Sequence, residues 1–303
     1  MSEMIFRIFN DYTFQIVALG SALLGGISGI LGSFAVLKKK SLLGDGVSHA
    51  ALPGVVLAFL LTGSKNTETL LIGALITGLI ATFFIVAIEK NTRIKFDSAL
   101  ALILSVFFGL GLVLLTYCQK IPNANQAGLD RFIYGQASAL VKRDLNIILI
   151  CGIVLIAVVL VFWKEFKISI FDPEFAKTIG FNIKFLDGLL TFLIVITIVL
   201  GLQTVGVILM SSMLIAPAVA ARQWSNKLSV MVVLSSLFGA TSGIAGTFIS
   251  SVTTNLPTGP IIVVCITTIA IVSLLFAPKR GVVSKIIQRK RNKFKFELER
   301  RTK

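Results

Sequence analysis

Read from the N-terminus, the chain is a succession of long apolar runs separated by short charged ones. Nine runs stand out, at 14–37, 41–61, 67–88, 97–117, 145–163, 185–203, 205–221, 229–251 and 258–278. They run to about twenty residues, which at about 1.5 Å of helix rise per residue is the thickness of a bilayer's hydrocarbon core. A membrane barrel would instead show alternating strands of about ten residues. The pattern predicts an all-α integral membrane protein, a polytopic helical bundle. The runs 185–203 and 205–221 are separated by almost nothing. Taken as one broken element, they reduce the count from nine spans to eight. The stretch from Gly128 to Leu140 is semi-apolar and too short to span, and it reads as a re-entrant or surface helix.

Composition agrees. Of 303 residues, 55% are apolar and only 14% are charged, against about 25% charged in an ordinary soluble domain. Mean hydropathy is +0.93. One soluble core cannot absorb that much apolar surface, which excludes a nuclear factor, a cytosolic enzyme and a secreted disulfide protein. Cys118, Cys151 and Cys265 are isolated, with no C-x-x-C pair, and read as small apolar packing residues. Met1 to Thr13 is polar and mixed, so no cleavable signal peptide is expected.

Charge adds orientation. The chain carries 29 Lys and Arg against 14 Asp and Glu. With nine alternating spans and the C-terminus inside, 23 of the 29 basic residues fall on one side, which by the positive-inside rule is the cytoplasm. The N-terminus is then outside, and Lys142 and Arg143 are the exceptions that this scheme leaves outside. Residues 279–303 hold eleven Lys and Arg and two Glu, a basic tail expected to lie near anionic lipid headgroups. No base-reading module accompanies it, so nucleic acid is not an expected partner.

Two spans carry small residues at helical spacing: Ser21, Gly25, Gly29 and Ser33 in the first, and Gly239, Gly243 and Thr247 in the eighth. Such faces let helix backbones approach closely in lipid, either within the chain or between subunits.

The chain has one histidine, His49, in the second run. Asp45 lies four residues earlier, so on a helix the two share a face. If the span begins near Ser41, they lie about 6 Å and 12 Å inside its boundary. Ionisable residues at such depth are costly and point to function. One carboxylate oxygen and one imidazole nitrogen suit Mn²⁺, Zn²⁺ or Fe²⁺. Pro53, four residues after His49, has no N–H, so the backbone carbonyl of His49 loses its helical partner and becomes a third candidate ligand. A kink is expected there. The alternative is that Asp45 caps the helix or pairs with Lys38–Lys40, and His49 is a satisfied buried polar group.

Other polar residues look structural. Asp97 reads as an N-cap, Glu89 and Asp187 as charges at span ends, and Met210 and Met213 as packing. Pro217 frees the carbonyl of Met213 as Pro53 does that of His49. There is no G-x-x-x-x-G-K-[ST] loop, no H-E-x-x-H and no G-x-S-x-G. In the 164–184 connector, Asp172 can cap a short helix with Pro173 at its first position and Gly180 past its end. Its charged and aromatic residues suit docking to a partner, or an ordinary amphipathic connector.

Together these segments resemble the permease subunits of ATP-binding-cassette importers for manganese, zinc and iron. The matching pieces are Leu42-Leu43-Gly44-Asp45-Gly46-Val47-Ser48-His49-Ala50-Ala51-Leu52-Pro53-Gly54, Phe171-Asp172-Pro173-Glu174-Phe175-Ala176, Val205-Gly206-Val207-Ile208-Leu209, Leu214-Ile215-Ala216-Pro217-Ala218 and Pro257-Thr258-Gly259-Pro260. The resemblance extends over about 14–278, and the first piece is its most specific part. Gly46 departs from the family's usual alanine. The stretch Gln126 to Gly135 resembles the manganese-leaning branch, which puts manganese ahead of zinc and iron.

The chain is expected to divide into a transmembrane permease domain over 1–278 and a basic cytoplasmic tail over 279–303, the tail lying outside what the resemblance explains. The resemblance implies that Asp45 and His49 coordinate the passing ion, and that Asp172, Pro173, Glu174 and Phe175, in a coupling helix at about 171–181, contact the ATPase. No permanently bound cofactor is implied; the metal is cargo. The implied partners are a cytoplasmic ATP-binding-cassette ATPase, which does the hydrolysis, an extracellular metal-binding protein, and a second permease copy or paralogue. The implied location is a bacterial-type plasma membrane. The competing function is a secondary cation transporter driven by an ion gradient. It would need several buried acidic residues, and Asp45 alone is well placed. An intramembrane hydrolase is a more distant alternative.

Overall fold

The computed structural model describes residues 10–64, 66–120, 135, 137–253, 256–278, 280–286 and 288–289. Among the described residues the regular structure is helical. In chain order it comprises α1 (Tyr12–Leu37), α2 (Leu43–Thr62), α3 (Thr67–Asn91), α4 (Phe96–Lys120), a 3₁₀ turn at Ala137–Ala139, α5 (Lys142–Val161), α6 (Trp163–Phe171), α7 (Pro173–Thr178), α8 (Ile183–Val205), α9 (Val207–Trp224), α10 (Leu228–Val252) and α11 (Thr258–Phe276). Most of Gly128 to Leu140, all of Gln126 to Gly135 except its last residue, and most of the 279–303 tail lie outside the described residues.

Among the described residues, eight helices (α1 to α5, α8, α10 and α11) are long and apolar enough to cross a membrane. Helix α9, with Pro217 and Arg222, is not among them. Its neighbours nonetheless define its course. Helix α11 begins with Gly259 beside Thr204 and Val205, at the end of α8. It ends near Ser273, whose Oγ accepts a hydrogen bond from Trp224 Nε1 at 3.0 Å. Helix α9 therefore runs alongside α11 from Gly206 to Trp224 and traverses the bundle as α11 does. The runs expected at 185–203 and 205–221 are two helices joined by Gly206 alone, whose φ of 84° lies on the side of the map where glycine carries no steric cost.

The two small-residue stripes face each other. A Cβ on Gly29 would fall 2.3 Å from the carbonyl oxygen of Ser235, and one on Gly243 2.5 Å from that of Ser21. Ser235 Oγ donates to the Gly29 carbonyl at 2.7 Å, adding a hydrogen bond across the seam. The stripes are intrasubunit packing, in which small residues bring backbones together where lipid supplies no hydrophobic drive. Met210 and Met213 are buried in the core, as packing residues should be.

The 164–184 connector holds two helices. Phe166 is fully buried, and its ring packs edge-on against Phe34 of α1 at 6.0 Å, with Trp163 against the same ring at 5.8 Å. These contacts give α6 a core anchor that a plain connector would lack. Helix α7 starts as its residues predict. Asp172 Oδ1 accepts the backbone N–H of Phe175 at 3.0 Å, Pro173 opens the helix, and Gly180 follows with φ 93°. Asp97 differs from expectation. It lies inside the first turn of α4, one residue after Phe96, where its charge still complements the positive helix end.

Candidate metal site

Helix α2 begins at Leu43, two residues later than expected, so Asp45 and His49 lie about 3 Å and 9 Å along it. The helical spacing places them together: His49 Nε2 is 3.5 Å from Asp45 Oδ1. The His49 side chain is 18% exposed and that of Asp45 42%. Phe108 of α4 packs edge-on against the imidazole, with ring centroids 4.6 Å apart at 82°. His49 Nδ1 is buried and has no hydrogen-bond partner among the described residues.

The competing arrangement, in which a lysine of the α1–α2 turn takes Asp45, is not what forms. Lys38 pairs with Asp187 near the start of α8, and the Lys40 ammonium lies over the Phe96 ring, 5.9 Å from its centroid. Burial lowers the Lys40 pKa, partly offset by the nearby Glu89 carboxylate. The Asp45 carboxylate is therefore left to His49.

Helix α2 runs unbroken through Pro53. Proline still has no N–H to offer the His49 carbonyl. Just beyond, α2 meets α3 backbone to backbone: a Cβ on Gly54 would lie 2.1 Å from the Gly73 carbonyl oxygen. One turn below His49, Gly46 meets the Leu100 side chain of α4, where a Cβ would fall 2.9 Å from its Cγ. The departure from alanine at Gly46 thus coincides with a close α4 neighbour and leaves the Asp45–His49 pair in place.

Among the described residues no group of three or more His, Cys, Asp or Glu is positioned to hold a metal ion. The side-chain donors are one oxygen and one nitrogen, a set suited to borderline divalent ions and too small for a closed structural site.

In the 164–184 connector, Asp172, Pro173, Glu174 and Phe175 are all exposed, while Ala176 is buried. Helix α7 is thus anchored by one small residue and turns its charged and aromatic positions outward. Two features of this region were not legible in the sequence. Phe108 sits in an apolar run with no distinguishing pattern, and Lys38 and Asp187 are 149 residues apart.

Comparison with known proteins bears on the whole bundle. The model of the family described as "ABC 3 transport family" matches residues 10–277. The zinc transport system membrane protein TroC of Treponema pallidum (strain Nichols) is 50% identical over 285 residues, 94% of this chain and 96% of that protein. The manganese transport system membrane protein MntC of Bacillus subtilis (strain 168) is 49% identical over 276 residues, 90% of this chain and 63% of that protein. Among solved structures, PsaBC from Streptococcus pneumoniae in complex with Fab matches with a TM-score of 0.81 and 33% identity, over 92% of this chain and 97% of that one. A family match that starts before α1 and ends after α11 takes in every membrane helix described above, and on it the chain belongs to the ABC 3 transport family.

Proposed function

We propose that this chain is the membrane-spanning permease subunit of an ATP-driven importer of divalent transition-metal ions, with manganese the first candidate and zinc or iron next. The observation that carries the reading is the Asp45–His49 pair, 3.5 Å apart within a membrane-crossing helix. The relatives named for zinc and for manganese transport support the cargo class.

Asp45 adds a further argument. The Asp45 side chain is 42% exposed in the first turn of α2, so water can reach it at the helix end. We take that face of α2 to border a water-lined path or a second permease copy. Either would complete the coordination that Asp45, His49 and the His49 carbonyl begin. The ion is held briefly by these donors and passes inward by alternating access. The energy comes from an ATPase subunit docked on the exposed face of α7, with Asp172, Pro173, Glu174 and Phe175 at the contact. An extracellular metal-binding protein delivers the ion, and the basic C-terminal end lies on the cytoplasmic side of a bacterial-type plasma membrane.

The test is uptake of radioactive manganese by whole cells expressing the complete transporter. Asp45→Ala and His49→Ala are each expected to abolish uptake with membrane abundance unchanged. Normal uptake by a well-expressed His49→Ala variant overturns the site. Competition with unlabelled zinc and iron ranks the three ions, and stronger inhibition by zinc than by unlabelled manganese reverses the proposed order.

A further inference from the structure

A groove runs along the bundle on a face built from α1, α5, α6 and α10, with no contribution from the helices that carry Asp45, His49 and Phe108. It consists of three cavities that share walls. The first, about 380 Å³, lies between Ile148 and Ile156 of α5 and Ala240 of α10, over Gly26 of α1. It shares Ile30, Ile156 and Ser236 with the second, about 830 Å³, which continues past Val159 and Val233 to Trp163, Lys164 and Glu165. The second shares Trp163 and Ser229 with the third, about 450 Å³, which is also lined by Lys167 and Lys227.

The groove changes character along its length. Between Ile148 and Val161 its lining is apolar apart from Ser236, over about 20 Å of helix. That exceeds the depth of one bilayer leaflet, about 15 Å of hydrocarbon. Beyond Trp163 it becomes charged, with three ammonium groups (Lys164, Lys167 and Lys227) and one carboxylate (Glu165). The Glu165 Oε2 is buried and has no hydrogen-bond partner among the described residues. A buried acceptor in that state calls for a donor.

We propose that this groove binds one phospholipid bearing a phosphoethanolamine headgroup. An acyl chain lies along the apolar segment between α5 and α10. Lys167 and Lys227 take the phosphate as charge-assisted hydrogen bonds. The primary ammonium of the headgroup donates to the carboxylate of Glu165, which lines the second cavity. Trp163 sits where the apolar and charged parts meet, the position that amphipathic rings favour at a membrane surface. A glycerol headgroup offers no cation to Glu165, and the quaternary ammonium of choline has no N–H to donate. The Glu165 carboxylate therefore makes the site selective, while the lysines make it a phospholipid site in general.

Native mass spectrometry of the full-length chain, delipidated in detergent and offered equimolar phosphatidylethanolamine, phosphatidylglycerol and phosphatidylcholine of one acyl composition, tests this. The wild-type chain should retain phosphatidylethanolamine about fivefold or more over each of the others, the scale of one charge-assisted hydrogen bond. Glu165→Gln should erase that preference while leaving overall phospholipid retention. The Lys167→Ala/Lys227→Ala double variant should lower retention of all three lipids, and Val233→Trp should do so by filling the second cavity. Equal retention of the three lipids by the wild-type chain overturns the proposal, as does a preference that survives Glu165→Gln. If Val233→Trp separates two permease copies and leaves bound lipid unchanged, the groove is an interface between copies and the proposal fails.

Discussion

Gly25 of α1 and Gly239 of α10 touch backbone to backbone: a Cβ on Gly25 would lie 2.2 Å from the Gly239 carbonyl oxygen, and one on Gly239 2.0 Å from that of Gly25. The atom in the way is main chain on both sides, so neither helix can yield by turning a side chain. Gly239→Ala should therefore push the helices apart and destabilise the bundle by about 1–3 kcal/mol, the usual cost of overpacking. Gly109→Ala, at a helical position with nothing within 4 Å, is the control and should be tolerated. Thermal unfolding of both variants in detergent measures the difference. Equal midpoints would mean that the seam between α1 and α10 is looser than it looks.

Pro53 separates the contribution of a free carbonyl from that of ordinary helix. Pro53→Ala supplies an N–H to the His49 carbonyl and should favour regular helix by up to about 3 kcal/mol. Neighbouring helices offset part of that, and the Gly54–Gly73 contact keeps α2 against α3. The expected variant is folded, at least as heat-resistant as the parent, and poor in metal uptake. Both quantities are to be measured on one preparation. Wild-type uptake would show that the His49 carbonyl is dispensable as a donor.

The Lys38–Asp187 ion pair ties the turn before α2 to the start of α8, just downstream of α7. The Lys38 side chain is 11% exposed and that of Asp187 36%, so the pair is drier than a surface bridge. Asp187→Asn alone should destabilise by about 1–3 kcal/mol, because it leaves the poorly solvated Lys38 ammonium without its partner, and Lys38→Met should cost less, because water can reach Asp187. The double variant should lose less than the sum. A double-mutant cycle on unfolding in detergent tests this, and strict additivity would show that the two groups do not interact.

Glu174 and Phe175 are exposed on α7 and contribute little to the fold. The Glu174→Ala/Phe175→Ala variant should express and bind metal normally, yet co-purify with much less of the ATPase subunit. Undiminished co-purification together with normal metal-stimulated ATP hydrolysis would remove α7 from the docking role.

Much of this architecture was legible because membrane helices advertise themselves. Hydrophobic runs of bilayer length gave the spans to within a few residues, and Asp172, Pro173 and Gly180 marked α7 through local cap chemistry. Asp45 and His49 could be paired because i,i+4 spacing is a local rule. Relationships that depend on the three-dimensional path were hidden. Neither the Phe108 contact with His49 nor the pairing of Lys38 with Asp187 rather than Asp45 follows from any spacing. The glycine stripes were visible, but their mutual docking required α1 and α10 to meet across more than 200 residues of chain. Helix α6 was missed because its anchor, Phe166, looks like any other aromatic residue near a span end.

The orphan Nδ1 of His49 bears on how long an ion can stay. Histidines that retain a metal almost always steady the ring by donating their second nitrogen's proton to a carboxylate or carbonyl, and losing that support typically weakens affinity 10- to 100-fold. Here the second nitrogen is buried against no such acceptor among the described residues, and Phe108 packs against the ring. A storage site built this way would leak. Under the function proposed for the Asp45–His49 pair, the same weakness would shorten the dwell time of each ion, and turnover would be set by how fast the helices move rather than by how slowly the metal lets go.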